Sequence, residues 1–184
     1  MKKRFFWALC ALAMLATPVF AQVEDEEDMS EDECAIGVFV ADNDGPVTNL
    51  RDAPQGKVIE RLPAGVYTLC LGENKNGWWK VVDFWDMEEE NENGNPVILN
   101  LDTKEYWIHY SVVGLGTRNY GGERWCLRAK PNEKAKPTYY FKEEITLHPM
   151  EIQGEWVKVK TMDGKHTGWI LIYNLCGNPL TNCC

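Results

Sequence analysis

Leu50-Arg51-Asp52-Ala53-Pro54 returns as Leu127-Arg128-Ala129-Lys130-Pro131, and each leucine is followed 29 residues later by a tryptophan, Trp79 or Trp156. Leucine, proline and tryptophan keep one offset of 77 residues, which points to a duplicated unit. Around these landmarks the chain reads as all-β. Gly65-Val66-Tyr67-Thr68-Leu69-Cys70-Leu71, Trp78-Trp79-Lys80-Val81-Val82 and Trp156-Val157-Lys158-Val159-Lys160 are short, rich in β-branched and aromatic residues, and bounded by Gly, Pro, Asn and Asp. Val157 and Val159 share one face and Lys158 and Lys160 the other, the pattern of a half-exposed strand. Asp163-Gly164 predicts a two-residue hairpin turn, with the strand returning through Gly168-Trp169-Ile170-Leu171-Ile172. Sustained helical periodicity is missing.

The amino-terminal end has another character. Lys2-Lys3-Arg4 precedes an apolar run from Phe5 to Leu15, and Val19-Phe20-Ala21 offers the compact residues a signal peptidase reads, so residues 1–21 are expected to be a signal peptide. Cys10 lies mid-run behind Leu9, a poor context for a lipid anchor. The run falls short of the roughly 20 apolar residues that span a bilayer, so no membrane insertion is expected and the mature protein is expected in the periplasm or outside the cell. Glu24 to Glu33 then holds eight acidic residues in ten positions, too polar to support a core, and residues 22–35 read as a flexible acidic leader.

The formal net charge is −9, and removing a leader with three basic and no acidic residues makes it −12. A surface so acidic argues against nucleic acid or an anionic membrane as partner, since both need clustered positive charge. Asp42-Asn43-Asp44-Gly45 is not a calcium loop: Pro46 takes the next ligand position and no glutamate closes the loop. Six cysteines remain after processing: Cys34, Cys70, Cys126, Cys176, Cys183 and Cys184. In an exported chain an even count reads first as disulfides, and without any Cys-x-x-Cys pair no metal site is expected. Gly-Asn-Pro-Leu-Thr-Asn between Cys176 and Cys183 is a turn-forming loop that favours a bridge between them, with Cys184 a competitor for the same partner.

Thr48-Asn49-Leu50-Arg51-Asp52-Ala53-Pro54, Gly56 to Gly65 and Asn76-Gly77-Trp78-Trp79-Lys80-Val81 resemble, in that order, the bacterial Src-homology-3-like (SH3b) domains, small β-barrels often attached to exported or cell-wall proteins. The second copy keeps Leu127-Arg128-x-x-Pro131, Gly154-Glu155-Trp156-Val157-Lys158-Val159 and Gly168-Trp169-Ile170. Its segment Glu133 to Glu144 lacks the family's strand-and-glycine pattern. The resemblance implies two SH3-like barrels in tandem, at residues 36–118 and 119–184. Trp79 and Trp107 stand 28 residues apart and Trp156 and Trp169 stand 13 apart, so the first unit carries a 15-residue acidic hairpin insertion near residues 86–100. Such a loop is either a tolerated surface elaboration or a reach towards a partner.

Exported cysteine peptidases that cut cell-wall peptides often carry such barrels, and they need a thiolate beside an oriented histidine. His109, His148 and His166 lie in no recognisable nucleophile context, and two barrels leave no room for a catalytic domain of roughly 100 residues. A cysteine-dependent cell-wall hydrolase is thus the remote alternative; no catalytic activity and no cofactor are expected. Small barrels fill their interiors, so ligands meet the surface or the cleft between barrels, with aromatics as anchors. Trp79, Trp107, Trp156 and Trp169 recur in both copies and read as core or rim. Trp78, Trp85, Tyr139 and Tyr140 have no counterpart and are the ligand-binding candidates. The expected function is recognition of peptide or cell-wall peptide material, the rival being an envelope assembly protein whose ligand is another exported protein.

Overall fold

A computed structural model describes residues 33–88 and 97–181. The expected signal peptide, most of the leader, the tip of the acidic insertion and Cys183 lie outside the described residues. The described chain is antiparallel β throughout, interrupted by two single-turn 3-10 segments at Tyr110–Val112 and Ile172–Asn174. Its strands are β1 (Ile36–Val40), β2 (Val47–Arg51), β3 (Val58–Pro63), β4 (Tyr67–Lys75), β5 (Trp78–Asp86), β6 (Tyr106–His109), β7 (Val113–Thr117), β8 (Trp125–Arg128), β9 (Pro137–Phe141), β10 (Thr146–Gln153), β11 (Trp156–Thr161), β12 (Thr167–Leu171) and β13 (Leu175–Cys176). They form one large sheet in the order β3-β2-β6-β5-β4-β1-β7-β10-β11-β12-β8-β9, with β13 also on β7, and the sheet does not close into a barrel.

The pairing on one side of β1 and β7 repeats on the other. β2 pairs with β3 and β6, β5 with β4 and β6; likewise β8 pairs with β9 and β12, β11 with β10 and β12. Local detail repeats as well. The ladder slips between Leu50 and Arg51 and again between Leu127 and Arg128, Arg51 faces Trp107 as Arg128 faces Trp169, and both leucines are wholly buried. Each arginine ties its own loop, Arg51 Nη1 donating to the Gly56 carbonyl at 2.6 Å and Arg128 Nη1 to that of Ala135 at 3.0 Å.

The tryptophans of the repeat, however, are not equivalent. Trp78 faces His109, Trp79 faces Ile108 and Lys80 faces Trp107; in the other half Trp156 faces Leu171, Val157 faces Ile170 and Lys158 faces Trp169. Trp156 therefore matches Trp78, and Trp79 matches Val157. The loop between β8 and β9 is two residues longer than that between β2 and β3, and the next connection gives one residue back, so the common offset of 77 becomes 78 in this strand. A one-residue slip in a strand exchanges its faces. Trp79 is accordingly buried with Val157, whereas Trp156 is partly exposed like Trp78.

Two turns illustrate the local chemistry. Asn76-Gly77 joins β4 to β5 with φ of 55° and 83°, the left-handed pair that a two-residue hairpin needs. Asp163-Gly164 was expected to do the same, but the loop is wider: Thr161 N–H bonds to the His166 carbonyl, with Met162 to Lys165 between them. The Asp163 carboxylate accepts from the Thr161 hydroxyl at 2.6 Å and from the Lys165 amide at 3.1 Å, which organises a four-residue loop instead. The segment Glu133 to Glu144 also departs from its reading, since it contains β9, an end strand that tolerates Pro137 at its start.

A single apolar cluster runs through both halves, from Ile36 and Leu50 to Val159, Ile170 and Leu175. Beyond the β7–β10 ladder, two buried side chains hydrogen-bond across the boundary between the repeats. The Trp79 indole donates to the Pro149 carbonyl at 2.9 Å, and buried His148 donates from Nδ1 to the Val113 carbonyl at 2.7 Å. Cys34 and Cys70 form a disulfide that ties the lead-in of β1 to β4. Cys176 is also disulfide-bonded, and Cys126 is a free thiol, contrary to the expectation that all six cysteines pair.

Candidate functional site

The four predicted aromatics are not brought together: no ring contact joins any two of them among the described residues. Trp78 opens β5 and is flanked by its own chain. The Arg51 guanidinium lies 5.5 Å from the centre of its ring, and the His109 imidazole meets it tilted at 54°, with ring centres 5.0 Å apart. Since Trp156 occupies the matching position, the premise that Trp78 lacks a counterpart does not hold.

Trp85 sits on the part of β5 that extends beyond the strand shared with β11, and half of its surface is exposed. Around it Asp83, Met87, Ile98 and Leu99 line a cavity of ≈ 560 Å³, and Ile98 itself is 82% exposed. The Asp86 carboxylate accepts the Val97 amide at 3.1 Å, bringing the far side of the insertion back to its root. Nearby Tyr67 has its hydroxyl pKa raised by burial and then by the Asp86 and Glu88 charges.

Tyr139 and Tyr140 are successive residues of β9 and point to opposite faces. Tyr139 is committed inward, stacked on His166 at 3.9 Å and 15° and on Phe141 at 6.0 Å. Tyr140 is half exposed, with the Arg124 guanidinium held 4.0 Å over its ring. Trp78, Trp85 and Tyr140 thus offer contact surface, and Tyr139 offers little.

Sequence reasoning missed a basic cavity beside Tyr140. Arg124, Trp125, Cys126, Arg128, Glu133 and Trp156 contribute to its walls, with a volume of ≈ 360 Å³. The available signal was Arg128 in the repeated motif together with Arg124, three residues from the motif in a strongly acidic chain.

Acid–base groups are sparse. His109 has its pKa lowered, first by burial and then by the neighbouring His148, while its Nδ1 contacts the Ser111 hydroxyl at 2.8 Å. Asp163 is lowered to about 2, chiefly by the Thr161 hydroxyl. Among the described residues no three of His, Cys, Asp and Glu are grouped as metal ligands, and no helix is long and apolar enough to cross a membrane.

No protein-family model and no curated protein matches the chain. Among solved structures it is similar to NlpC1 and NlpC2 from Trichomonas vaginalis, at 10% and 11% identity and TM-scores of 0.27 and 0.28. Each match covers 76% of this chain and 45% or 48% of the other, so the chain spans about half the length of those structures. A likeness this slight carries no argument, and the reading rests on the residues.

Proposed function

We propose that the chain is an exported, non-catalytic interaction protein made of two SH3-like units, near residues 36–118 and 119–184, which recognises peptide or cell-wall peptide material through surface aromatics. The carrying observation is the division among its aromatic rings: Trp79, Tyr106, Trp107 and Trp169 are buried, while Trp85 and Tyr140 each remain half exposed. A large aromatic left in water by the core is suited to anchor a partner, because it buries much area with few rotors to freeze. The repeated strand pairing supports the tandem reading, with β7, the last strand of the first unit, pairing with β10 of the second in a shared sheet. The Cys34–Cys70 bridge and the basic-then-apolar leader support an oxidising, exported setting.

The partner-assembly reading draws on the wider apolar surface at the root of the acidic insertion, where Met87 and Ile98 extend the exposed ring of Trp85. One comparison separates the two. Binding of the chain to purified peptidoglycan peptide fragments is measured alongside capture from envelope extract, with Trp85→Ala in both arms. Fragment binding that weakens in the variant while its melting temperature holds supports the proposed function. Capture of one exported protein with no fragment binding supports assembly, and fragment binding indifferent to Trp85 and Tyr140 overturns the aromatic surface.

A further inference from the structure

We infer that the cavity beside β8 is a binding site for a carboxylate, and specifically for the C-terminal carboxylate of a peptide. Its two arginines are held in place from behind. Arg124 rests on the face of Tyr140 at 4.0 Å, and Arg128 donates one Nη1 bond at 3.0 Å to the Ala135 carbonyl, leaving the rest of its donor fork uncommitted. Neither is ion-paired among the described residues, which is unusual in a chain of net charge −9. Both line a space of ≈ 360 Å³, within the range of small-ligand sites, whose apolar wall is Trp156, Ile170 and Leu171.

The other half of the chain shows what this site has become. At the matching place the Arg51 guanidinium lies 5.5 Å from the centre of the Trp78 ring and the His109 imidazole 5.0 Å from it, so Trp78 is flanked by its own chain. In the second half Leu171 stands where His109 does, and Arg124 stands one residue ahead of β8 where Val47 opens β2. The site thus gains a cation, and an aliphatic side chain stands in place of the imidazole.

Glu133 narrows the ligand. A simple anion meets its repulsion, whereas a peptide terminus presents a carboxylate for the guanidinium forks and, on the other side of its Cα, an amide N–H for Glu133. The indole wall accommodates the last side chain. The site shares Tyr140 with the surface-aromatic reading but neither Trp85 nor its surroundings, so dependence of fragment binding on Trp85 and dependence of acid binding on Arg124 are separate outcomes.

The test is a titration of the ¹⁵N-labelled full chain with N-acetyl-Ala-Leu, with its C-terminal amide, and with inorganic phosphate, following the Trp156 indole N–H. The acid should move that resonance and bind about tenfold tighter than the amide, the expected loss when a charge-assisted pair becomes neutral. Arg124→Gln, at an exposed position, should weaken the acid about tenfold. Tyr140→Leu should weaken it about three- to fivefold by releasing Arg124. Bound acid should also slow alkylation of Cys126, read on its own proteolytic peptide, and Arg61→Gln, which removes an exposed cation of β3 in the other half, should leave all of this unchanged. Equal affinity for acid and amide, phosphate binding as tight as the acid, or an unmoved Trp156 with unprotected Cys126 overturns the assignment.

Discussion

Replacing Trp79 by alanine should destabilise the protein far more than replacing Trp156, although the two tryptophans look interchangeable in the sequence. Trp79 is 1% exposed, and a buried indole removes on the order of 200 Å² from water, worth about 5 kcal/mol as an upper bound. Truncations of this kind cost about 3–5 kcal/mol once partial relaxation is allowed. The change also strips the Pro149 carbonyl of the indole donor at 2.9 Å, so the damage reaches the other half of the sheet. Trp156 lies partly exposed on the wall of an open cavity, and its truncation should cost about 1 kcal/mol. Urea unfolding of both variants, followed by far-ultraviolet circular dichroism, measures the difference. Because about 4 kcal/mol is a large share of a domain's stability, Trp79→Phe provides a gentler variant that keeps most of the volume and removes only the bond, at a cost of about 1–3 kcal/mol. Equal losses for the two alanine variants would show that the strand register derived from the Trp79–Ile108 and Trp156–Leu171 pairs is wrong.

Two further outcomes follow from covalent and acid–base features. Cys34 and Cys70 are 36 residues apart, so opening that loop by Cys34→Ser with Cys70→Ser should lower stability by roughly 4 kcal/mol on the chain-entropy account; a shift in the urea midpoint no larger than that of a surface substitution would remove the bridge from the stabilising features. His109 has a folded pKa below the usual 6.5, so the unfolded chain takes up its proton more readily; stability should be full above that pH and decline as pH falls through it. His109→Gln should flatten this part of the pH–stability curve, and an unchanged slope would show that His109 does not contribute to it.

Much of the fold was legible because its signals are local. The β-branched and aromatic runs became β4, β5 and β11, Val157 and Val159 turned inward as their alternation required, and Leu50 and Leu127 proved to be buried partners in matching strands. Register was not legible. The extra residues in the β8–β9 loop, and the one returned before β10, cancel in part and left the tryptophans at the offset of the leucines while moving them to opposite faces. Asp163-Gly164 misled for a chemical reason: the same two letters make a tight turn or, when the carboxylate takes up the Thr161 hydroxyl and Lys165 amide, the middle of a wider loop. Trp85 and Tyr140, named from the sequence as rings without a counterpart, are each half exposed, but Tyr139 was not separable from its neighbour, because stacking on His166 depends on a contact across 27 residues of chain. The basic cavity escaped notice because its parts come from β8, the following loop, β11 and β12, and only the sheet brings them to one place.

The junction between the halves has a consequence for how they can diverge. β7 pairs with β1 on one side and with β10 on the other, so the last strand of the first pairing set is also the first of the second. Trp79 and His148 each send a hydrogen bond across this boundary, to Pro149 and Val113 respectively, and a continuous apolar cluster lies beneath them. Such a boundary leaves little freedom near β7, since a change there disturbs two ladders and a buried polar pair at once. Freedom lies at the distant features: the β5–β6 insertion around Trp85, and the β8–β9 loop around Arg128 and Glu133. Apart from the single residue given back before β10, those are the places where the halves differ in length, and they carry the exposed aromatic surface and the arginine-lined cavity. The shared centre and the divergent ends are therefore one arrangement, in which a common sheet carries the two surfaces proposed for recognition, one in each half of the chain.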